Sequence, residues 1–497
     1  MKKILSIVLI LSTLLCVIAG CGLPESTPGG DDSQKANNPG ETATETEETE
    51  LVYTPDLEDT DWEGREFIFI CTSSAYDGGY YETIDVFVET EIGEVFNDAV
   101  YRRNKNVEEK YNVKIIENKY DNVGTAISNA VNAGDDICNA VFSFMNEPQT
   151  HAQNGMLVDL NTMPHLDFDQ PWWDVNMKND LSIGGKTYLM TGDISVMDDN
   201  CTVLFFFNKK FVTDYELANP YELLDANKWV FDEFYGMVKG VSADLNGDGA
   251  YDDNDLLGSV MAYHNVQYVA QGSGVRYIEL DSAGYPQPIF MNEHTVNVID
   301  KISGLFFDAT ISIFINNLTD PLGGNQYAYA RRLFTNDQIL FCLSQPLIFN
   351  EFRDMESEFG LMPMPKFNEQ QDRYYSPVDI ACTFLTVPKT VSDLDFTGYV
   401  LEAFAAESKN TLTPAYYDVM LKRKYTRDDE SADVLDLIAK SRLYDLGVFY
   451  GWGGINNIIT SAIQIQNTDI QSAYDKIAES MTTAIAKTVE AYTASVG

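Results

Sequence analysis

The chain has 497 residues, of which 45% are hydrophobic and 12% aromatic, and its formal net charge at pH 7 is −43. About 435 residues follow the polar N-terminal segment, too many for one ordinary core, so we expect two lobes. A surface this acidic repels nucleic acid and anionic lipid headgroups, and it suits a neutral or cationic ligand.

The N-terminus has the features of a secretion signal. Lys2 and Lys3 precede an apolar run over residues 4–18, which ends at Ala19, Gly20 and Cys21. A basic start, a short apolar run and small residues before a cleavage point are typical of a secretory signal, and this run is too short to span a membrane. We therefore predict a signal peptide over residues 1–20.

A cysteine directly after Ala-Gly resembles the lipobox of bacterial lipoproteins, in which that cysteine is acylated. The alternative is a plain signal peptide that happens to end near a cysteine. With lipid on Cys21, the protein would be anchored at the extracellular face of the bacterial cell membrane.

Residues 21–61 are mostly Pro, Gly, Ser, Thr, Asn and acidic residues, including a Thr-Glu run over 42–50. Such a segment has little apolar surface to offset its ordering entropy. We expect a flexible, lipid-anchored acidic linker here, and folded structure from Trp62, where aromatic and β-branched residues begin.

Strand and helix patterns alternate after Trp62. The apolar periodicity predicts strands over 65–70, 113–117 and 137–142, and helices over 92–110 and 125–133. Alternation of this kind predicts a parallel sheet covered by helices. Because ligands bind beyond the carboxyl ends of such strands, residues 72–76 and 143–147 should line a cleft.

A second α/β block begins near Cys201. Its predicted strands are 202–207, 258–261, 338–344 and 378–387, and its predicted helices are 231–239, 347–358, 395–406, 432–439, 458–464 and 474–492. The sequence thus predicts an α/β fold with two sheets.

The usual sequence signs of catalysis, metal chemistry and disulfides are missing. The chain contains no HExxH, GxSxG, GxxxxGK[ST] or GxGxxG pattern. Five widely spaced cysteines remain after Cys21, and they favour buried free thiols over a disulfide framework or a zinc site: Cys71, Cys138, Cys201, Cys342 and Cys382. We expect no enzymatic activity.

Residues 244–255 have the register of a calcium loop. Oxygen side chains stand at positions 1, 3, 5, 9 and 12, Gly249 stands at the sharp turn, and a backbone carbonyl is available at position 7: Asp244, Asn246, Asp248, Asp252, Asp255 and Ala250. Calcium prefers six to eight oxygen ligands at this spacing. The shorter Asp at position 12, where Glu is usual, weakens bidentate closure. The alternatives are a structural calcium clip and a polar turn that binds no ion.

The order of these features resembles the extracellular solute-binding proteins of ABC importers. The match is to the family 1 type that includes maltose-binding protein, in its lipid-anchored Firmicutes branch, and it extends from Trp62 to the C-terminus. The stretches that carry the resemblance are RNKNVEEKY at 103–111, GKTYLMTGD at 185–193, FNKK at 207–210, NPYEL at 219–223, KW at 228–229 and YDLG at 444–447.

The resemblance implies a two-lobe, type II clamp in which each lobe has a mainly parallel sheet flanked by helices. The chain would cross between lobes near residues 193–200, 373–378 and 424–430. The N-terminal lobe would then comprise residues 62–195 with 378–428, and the C-terminal lobe 196–377 with 429–497. A monomer of this kind closes on its ligand at the hinge and is recognised by the permease subunits in the membrane.

Aromatic platforms and a few polar side chains recognise sugars, because sugars present both C–H faces and hydroxyl groups. Trp452, among three glycines, is the candidate for an exposed platform, and the family often has a stacking aromatic in the corresponding C-terminal region. The other candidates have packing, turn or hinge roles as alternatives: Trp172, Trp173, Asp193, Asp198, Ser344, Gln345 and Tyr375.

The main interpretation is a non-enzymatic lipoprotein that captures a sugar or oligosaccharide and delivers it to an importer. A peptide or a cationic solute could replace the sugar on the same fold. A secreted glycoside hydrolase is the third alternative, since acidic residues are abundant. An enzyme would turn over a chromogenic glycoside, whereas a binding protein saturates at one ligand per chain.

Overall fold

The computed structural model describes residues 52–74, 81–144, 147–352, 354–417 and 430–494. The predicted signal peptide, Cys21 and most of the predicted linker lie outside these ranges. No helix among the described residues is long and apolar enough to cross a membrane.

The folded unit begins at Val52, earlier than the composition change at Trp62 indicated. The backbone N–H of Tyr53 donates to Oδ1 of Asn410 at 2.8 Å, and Nδ2 of Asn410 donates back to the carbonyl of Tyr53 at 2.8 Å. The hydroxyl of Tyr399 donates to the carbonyl of Glu58. The end of the predicted linker is therefore fastened to a helix more than three hundred residues later in the chain.

The strands, in chain order, are β1 (Arg65–Thr72), β2 (Val113–Tyr120), β3 (Ala140–Phe144), β4 (Leu204–Asn208), β5 (Leu257–Met261), β6 (Ile278–Leu280), β7 (Pro286–Pro288), β8 (Ser312–Phe314), β9 (Ile339–Ser344), β10 (Phe359–Met362), β11 (Ser376–Pro377), β12 (Thr383–Thr386) and β13 (Arg442–Leu443). The larger two sheets have the orders β12-β3-β1-β2 and β10-β4-β9-β5-β8. We call the part of the chain around the first of these sheets the first lobe and the part around the second sheet the second lobe.

The helices are α1 (Val95–Tyr111), α2 (Val123–Ala133), α3 (Glu147–Gln153), α4 (Val175–Leu181), α5 (Met197–Cys201), α6 (Lys209–Asp214), α7 (Pro220–Asp225), α8 (Phe231–Val241), α9 (Val266–Gly272), α10 (Glu293–Phe306), α11 (Gln326–Thr335), α12 (Leu394–Asn410), α13 (Leu412–Ala415), α14 (Glu430–Lys440), α15 (Leu446–Tyr450), α16 (Ile458–Gln464) and α17 (Ile470–Ala494). The predicted helix over 347–358 is instead a short 3₁₀ segment, Pro346–Phe352.

The predicted α/β organisation is confirmed, but the two sheets differ in strand direction. In the first sheet β1 runs parallel to β2 and β3, and β12 runs antiparallel to β3. In the second sheet β5 runs parallel to β8 and β9, whereas β4 runs antiparallel to both β9 and β10. The second sheet is therefore mixed rather than mainly parallel.

Helix α1 begins later than its apolar pattern indicated. Glu94 caps the helix by accepting the N–H of Asn97, and Ile92 stays outside it with 67% of its surface exposed. Ile92 is held there because its backbone N–H donates to the carboxylate of Asp98 at 2.9 Å. A side-chain cap, which periodicity does not report, sets this boundary.

The lobes are joined where three segments of the chain lie side by side. Strand β11 pairs in parallel with β13, and Thr202 forms an antiparallel bridge with Val378. We call these three segments the hinge. Residues 424–429 of the predicted third crossing lie outside the described residues; on either side of that gap, α13 follows the first-lobe helix α12, and Ser431 of α14 hydrogen-bonds Tyr221 in the second lobe at 2.8 Å.

Arg442 in β13 ties the hinge together. Its guanidinium Nη1 lies 3.2 Å from Asp174 and 3.1 Å from Asp198, and its Nη2 contacts Asp199. Its Nε donates to the hydroxyl of Thr202 at 3.2 Å. One buried cation thus contacts a first-lobe residue and the segment that leads into the second lobe.

The last helix does not belong to the second lobe alone, as the boundary at 429–497 implied. Tyr474, near the start of α17, stacks on Phe290 of the second lobe, with ring centroids 6.2 Å apart. Farther along, Thr488 accepts a hydrogen bond from Gln153 of first-lobe helix α3 at 2.8 Å. Helix α17 therefore contacts both lobes.

The five cysteines that follow the N-terminal segment are buried free thiols, as predicted. Burial raises the pKa of Cys138 and of Cys342 to about 12. These thiols are therefore neutral and act as small apolar side chains in the core.

A buried carboxyl group in α12 makes stability depend on pH. Burial raises the pKa of Glu402 from its ordinary 4.5 to about 7. The folded protein therefore binds this proton more tightly than the unfolded chain does, and the free energy of unfolding should rise as pH falls through that interval.

We predict that the melting temperature rises from about pH 8 to about pH 5.5, and that Glu402→Gln removes up to about 1.4 kcal/mol per pH unit from the slope. Calorimetry at a series of pH values measures the melting temperature and the free energy of unfolding of both proteins. The matched control, Glu109→Gln on the exposed side of α1, should keep the wild-type slope. An unchanged slope in Glu402→Gln would contradict the assignment.

Candidate ligand-binding site

The carboxyl ends of parallel strands in the second lobe point towards the hinge. Strands β5, β8 and β9 run parallel to one another and end at Met261, Phe314 and Ser344. Ser344 pairs with Leu204, just after hinge residue Thr202. Ligands of open α/β sheets bind at this edge, so the residues that follow these strands are candidates for contact with a ligand.

Asp379, three residues from the start of β11, is the anionic group of this region. Its Oδ2 accepts the hydroxyl of Tyr268 at 2.7 Å, and its Oδ1 accepts the backbone N–H of Ala381 at 2.8 Å. Only 9% of Asp379 is exposed. The hydrogen bond from Tyr268 joins α9 of the second lobe to the hinge.

The groups around Asp379 are neutral. Burial raises the pKa of Tyr268, and the negative charge of Asp379 adds to the rise. Burial lowers the pKa of His264 against the opposing effect of Asp379, so this imidazole is uncharged at neutral pH. Tyr327, whose ring centroid lies 6.1 Å from that of His264, has a pKa raised by burial and also by Asp379.

The first lobe contributes an aromatic pair. The ring centroids of Tyr81 and Phe144 are 5.0 Å apart, and Phe144 is the last residue of β3. Tyr81 also raises the pKa of Tyr268, which places the two phenols within electrostatic reach of each other. Tyr81 of the first lobe and Tyr268 of the second lobe therefore lie in the same region of the protein. We call Asp379, His264, Tyr268, Tyr327 and Tyr81 the Asp379 cluster.

Buried polar atoms without hydrogen-bond partners lie close to these elements. They include the hydroxyl oxygens of Thr72, Ser143 and Thr383, at the ends of β1, β3 and β12, and Oε1 of Gln267 beside Tyr268. Buried polar groups are nearly always satisfied in folded proteins. They are therefore positions at which the protein leaves hydrogen-bonding capacity unused.

Ser344 and Gln345 lie at the carboxyl end of β9, on the same edge as the residues that follow β5 and β8, and both are partly exposed. The ring centroid of Tyr375 lies 5.6 Å from the guanidinium carbon of Arg276 and 4.7 Å from that of Arg373. Contact of any of these three with a ligand stays a prediction. Part of the expected cleft lining, residues 75–76 and 145–146, is outside the described residues.

Trp452 is not the exposed platform that its glycine neighbours indicated. It is 3% exposed, its indole N–H donates to Thr488 at 2.9 Å, and its ring stacks on Tyr450 with centroids 4.5 Å apart. The glycines do not expose it: Gly453 has φ 63° and lies against Met481 of α17. These glycines allow a close approach of the backbone to α17.

Trp172 and Trp173 are also interior. Their indole N–H groups donate to the two carboxylate oxygens of Glu402, at 3.1 and 3.0 Å. Both tryptophans belong to the core of the first lobe, which was their packing alternative.

The two aspartates expected at the first crossing make ion pairs within the protein. Asp193 pairs with Lys409 at 3.1 Å and accepts the hydroxyl of Thr413 at 2.5 Å. Asp198 pairs with Arg442 in the hinge, and burial raises its pKa against the opposing effect of that guanidinium. In this structure both aspartates contact other side chains of the protein, which is a structural role.

The Asp379 cluster was not among the sequence candidates. The sequence predicts the strand over 258–261. Applying the carboxyl-end rule to that strand would have led to His264 and Tyr268.

The calcium loop follows α8, and hydrogen bonds from its backbone to its own carboxylate side chains hold it in a turn. Asp244 accepts the N–H groups of Gly247 and Gly249 at 2.6 and 2.9 Å, and Asp255 accepts those of Leu245 and Asp252 at 2.8 and 2.9 Å. However, no group of three or more His, Cys, Asp or Glu side chains gathers as a metal site anywhere in the described residues. The residue types fit calcium, but the carboxylates do not form a closed cage in this arrangement.

No family model matches this sequence, and no characterised protein matches it by sequence search. Solved structures do match by fold. An ABC substrate-binding protein from Listeria monocytogenes in complex with cycloalternan aligns with TM-score 0.53 and 14% identity, over 84% of this chain and 99% of that one.

Two further structures align over a similar extent. A cyclo/maltodextrin-binding protein complexed with maltotetraose has TM-score 0.53 and 13% identity, over 87% of this chain and 97% of that one. An ABC transporter solute-binding protein from Thermotoga lettingae bound with α-D-tagatose has TM-score 0.52 and 13% identity, over 85% of this chain and all of that one. The chain therefore has the two-lobe solute-binding fold, as predicted.

Proposed function

We propose that the protein captures an extracellular sugar or oligosaccharide and delivers it to an ABC importer. The observation that carries the proposal is the Asp379 cluster, in which Tyr268 of the second lobe donates to a carboxylate at the hinge and Tyr81 of the first lobe lies within electrostatic reach of Tyr268. Aromatic faces supply area for the C–H surfaces of a sugar, and polar groups fix its hydroxyls.

The two-lobe fold supports the importer role. The Listeria protein and the maltodextrin-binding protein bind oligosaccharides and share this fold with the chain. In our proposal the lobes close on the sugar at the hinge, because the ligand makes better contacts in the closed state than in the open one. The permease subunits would then bind the closed form.

The proposal includes anchoring through lipid on Cys21 at the extracellular face of the membrane, in the manner of the Firmicutes lipoproteins. It rests on the basic and apolar N-terminal run and on the Ala-Gly-Cys sequence that ends it. Mass spectrometry of the protein released from membranes would show a diacylglycerol modification at Cys21. An unmodified cysteine would contradict the anchor and leave the ligand assignment intact.

We predict that isothermal titration calorimetry with a panel of neutral mono- and oligosaccharides detects saturable binding at one ligand per chain. The same ligand should raise the melting temperature, because a ligand that binds only the folded state stabilises it by mass action. Binding of peptides alone would contradict the sugar assignment. Release of product from a chromogenic glycoside would instead favour the hydrolase alternative.

We further propose that residues 244–255 bind calcium as a structural clip. The loop register supports it, and so do the hydrogen bonds that Asp244 and Asp255 accept from backbone N–H groups of the loop, because these bonds hold the loop in a tight turn. In the proposal the ion draws the carboxylates into a cage that they do not form by themselves.

We predict that EDTA lowers the melting temperature and that added calcium restores it, without changing the number of sugar sites. Asp248→Asn should remove most of this calcium dependence. Asp281→Asn, at a turn whose carboxylate also accepts backbone N–H groups, is the matched control and should keep it. Equal melting temperatures with and without calcium would contradict the clip.

A further inference from the structure

Four of the other buried aspartates have a cation beside them, and Asp379 does not. Asp174 and Asp198 share Arg442, Asp320 pairs with Arg332 at 2.5 Å, and Asp445 lies 3.9 Å from Arg276. Among the described residues, no Lys, Arg or His lies within ion-pair distance of Asp379, although only 9% of the surface of Asp379 is exposed.

The other two buried aspartates have an explanation of their own. Asp85 accepts the hydroxyl of Ser195 at 2.8 Å, and its charge acts on the buried guanidinium of Arg103. Asp255 belongs to the calcium loop. Of the buried aspartates in the described part of the chain, Asp379 is therefore the one for which the protein offers neither a nearby cation nor a proposed metal.

Among the described residues that follow the strands, and over hinge residues 376–383, no Lys or Arg supplies the missing charge. Residues 73–74, 81–82, 147–151, 262–272, 315–325, 345–352 and 376–383 contain Glu82, Glu147, Asp320 and Glu351 in addition to Asp379. Lys119 of β2 is engaged with Glu82 at 2.6 Å.

A buried charge without a counter-ion is costly, and a ligand that supplies the counter-ion recovers that cost. The phenol ring of Tyr268, which donates to Asp379, and that of Tyr327, which lies within electrostatic reach of it, are also suited to a cation, because the face of an aromatic ring attracts positive charge. His264 stays neutral there, so it does not compete for the carboxylate.

We infer that the cleft takes an amino-substituted saccharide, whose ammonium group pairs with Asp379 while the tyrosines contact its rings. This inference rests on the proposed sugar-binding function and specifies the class of sugar. Saccharides with carboxylate, sulfate or phosphate groups are excluded by the same charges.

The test uses three trisaccharides of equal length and the purified full-length protein. Fully deacetylated chitotriose carries ammonium groups, N-acetylchitotriose carries neutral amides at the same positions, and trigalacturonate carries carboxylates. Calorimetry should show that the deacetylated sugar binds at least about tenfold more tightly than the acetylated one, and that trigalacturonate does not bind.

Two variants locate the effect. Asp379→Asn should abolish the preference for the deacetylated sugar, whereas Asp300→Asn, the same change on the exposed side of α10, should retain it. If the preference came only from the general attraction of a cation to an acidic protein, the two substitutions would reduce it to the same extent.

Equal or tighter binding of the acetylated sugar would overturn the inference and leave the sugar-binding function standing. Binding of trigalacturonate, a preference that survives Asp379→Asn, or equally tight binding of spermidine would also overturn it. Failure of every saccharide, including the neutral panel, would overturn the proposed function as well. The wild-type comparison decides the matter even if Asp379→Asn does not fold.

Discussion

The hinge depends on one buried guanidinium. Arg442 contacts Asp174 of the first lobe and both Asp198 and Asp199 of α5, the helix that leads into the second lobe. Tyr417, which lies just after α13, adds to this network because its hydroxyl donates to Asp199 at 2.8 Å. Breaking such a buried pair costs about 3–5 kcal/mol, because the remaining charges lose their partner. This network therefore fixes the positions of the segments that cross between the lobes relative to one another.

The hinge also sets the position of the Asp379 cluster. Strand β11 pairs with β13, which contains Arg442, and Asp379 lies two residues after the end of β11. Its carboxylate is bonded to Tyr268 of the second lobe. A ligand that contacts Asp379 therefore acts on the segment about which the lobes would turn. Helix α17, which touches both lobes, must accommodate the same movement.

Much of the fold could be predicted from the sequence, since the alternation of strands and helices is local. The direction of β4 could not be predicted, because an apolar run has the same periodicity in either direction. The roles of Trp172 and Trp173 could not be predicted either, because their partner Glu402 lies some 230 residues later. Trp452 was misjudged because glycines permit close backbone packing as readily as exposure. The Asp379 cluster unites His264, Tyr327 and Asp379, which no sequence spacing connects.

The central claim is that a saccharide closes two lobes about this hinge. Small-angle X-ray scattering of the protein with and without a saturating saccharide ligand measures it most directly. Our account predicts a smaller radius of gyration and a single compact form when ligand is bound, with the change lost on removing the ligand. An identical scattering curve at full occupancy would contradict closure and would make the protein a rigid binder.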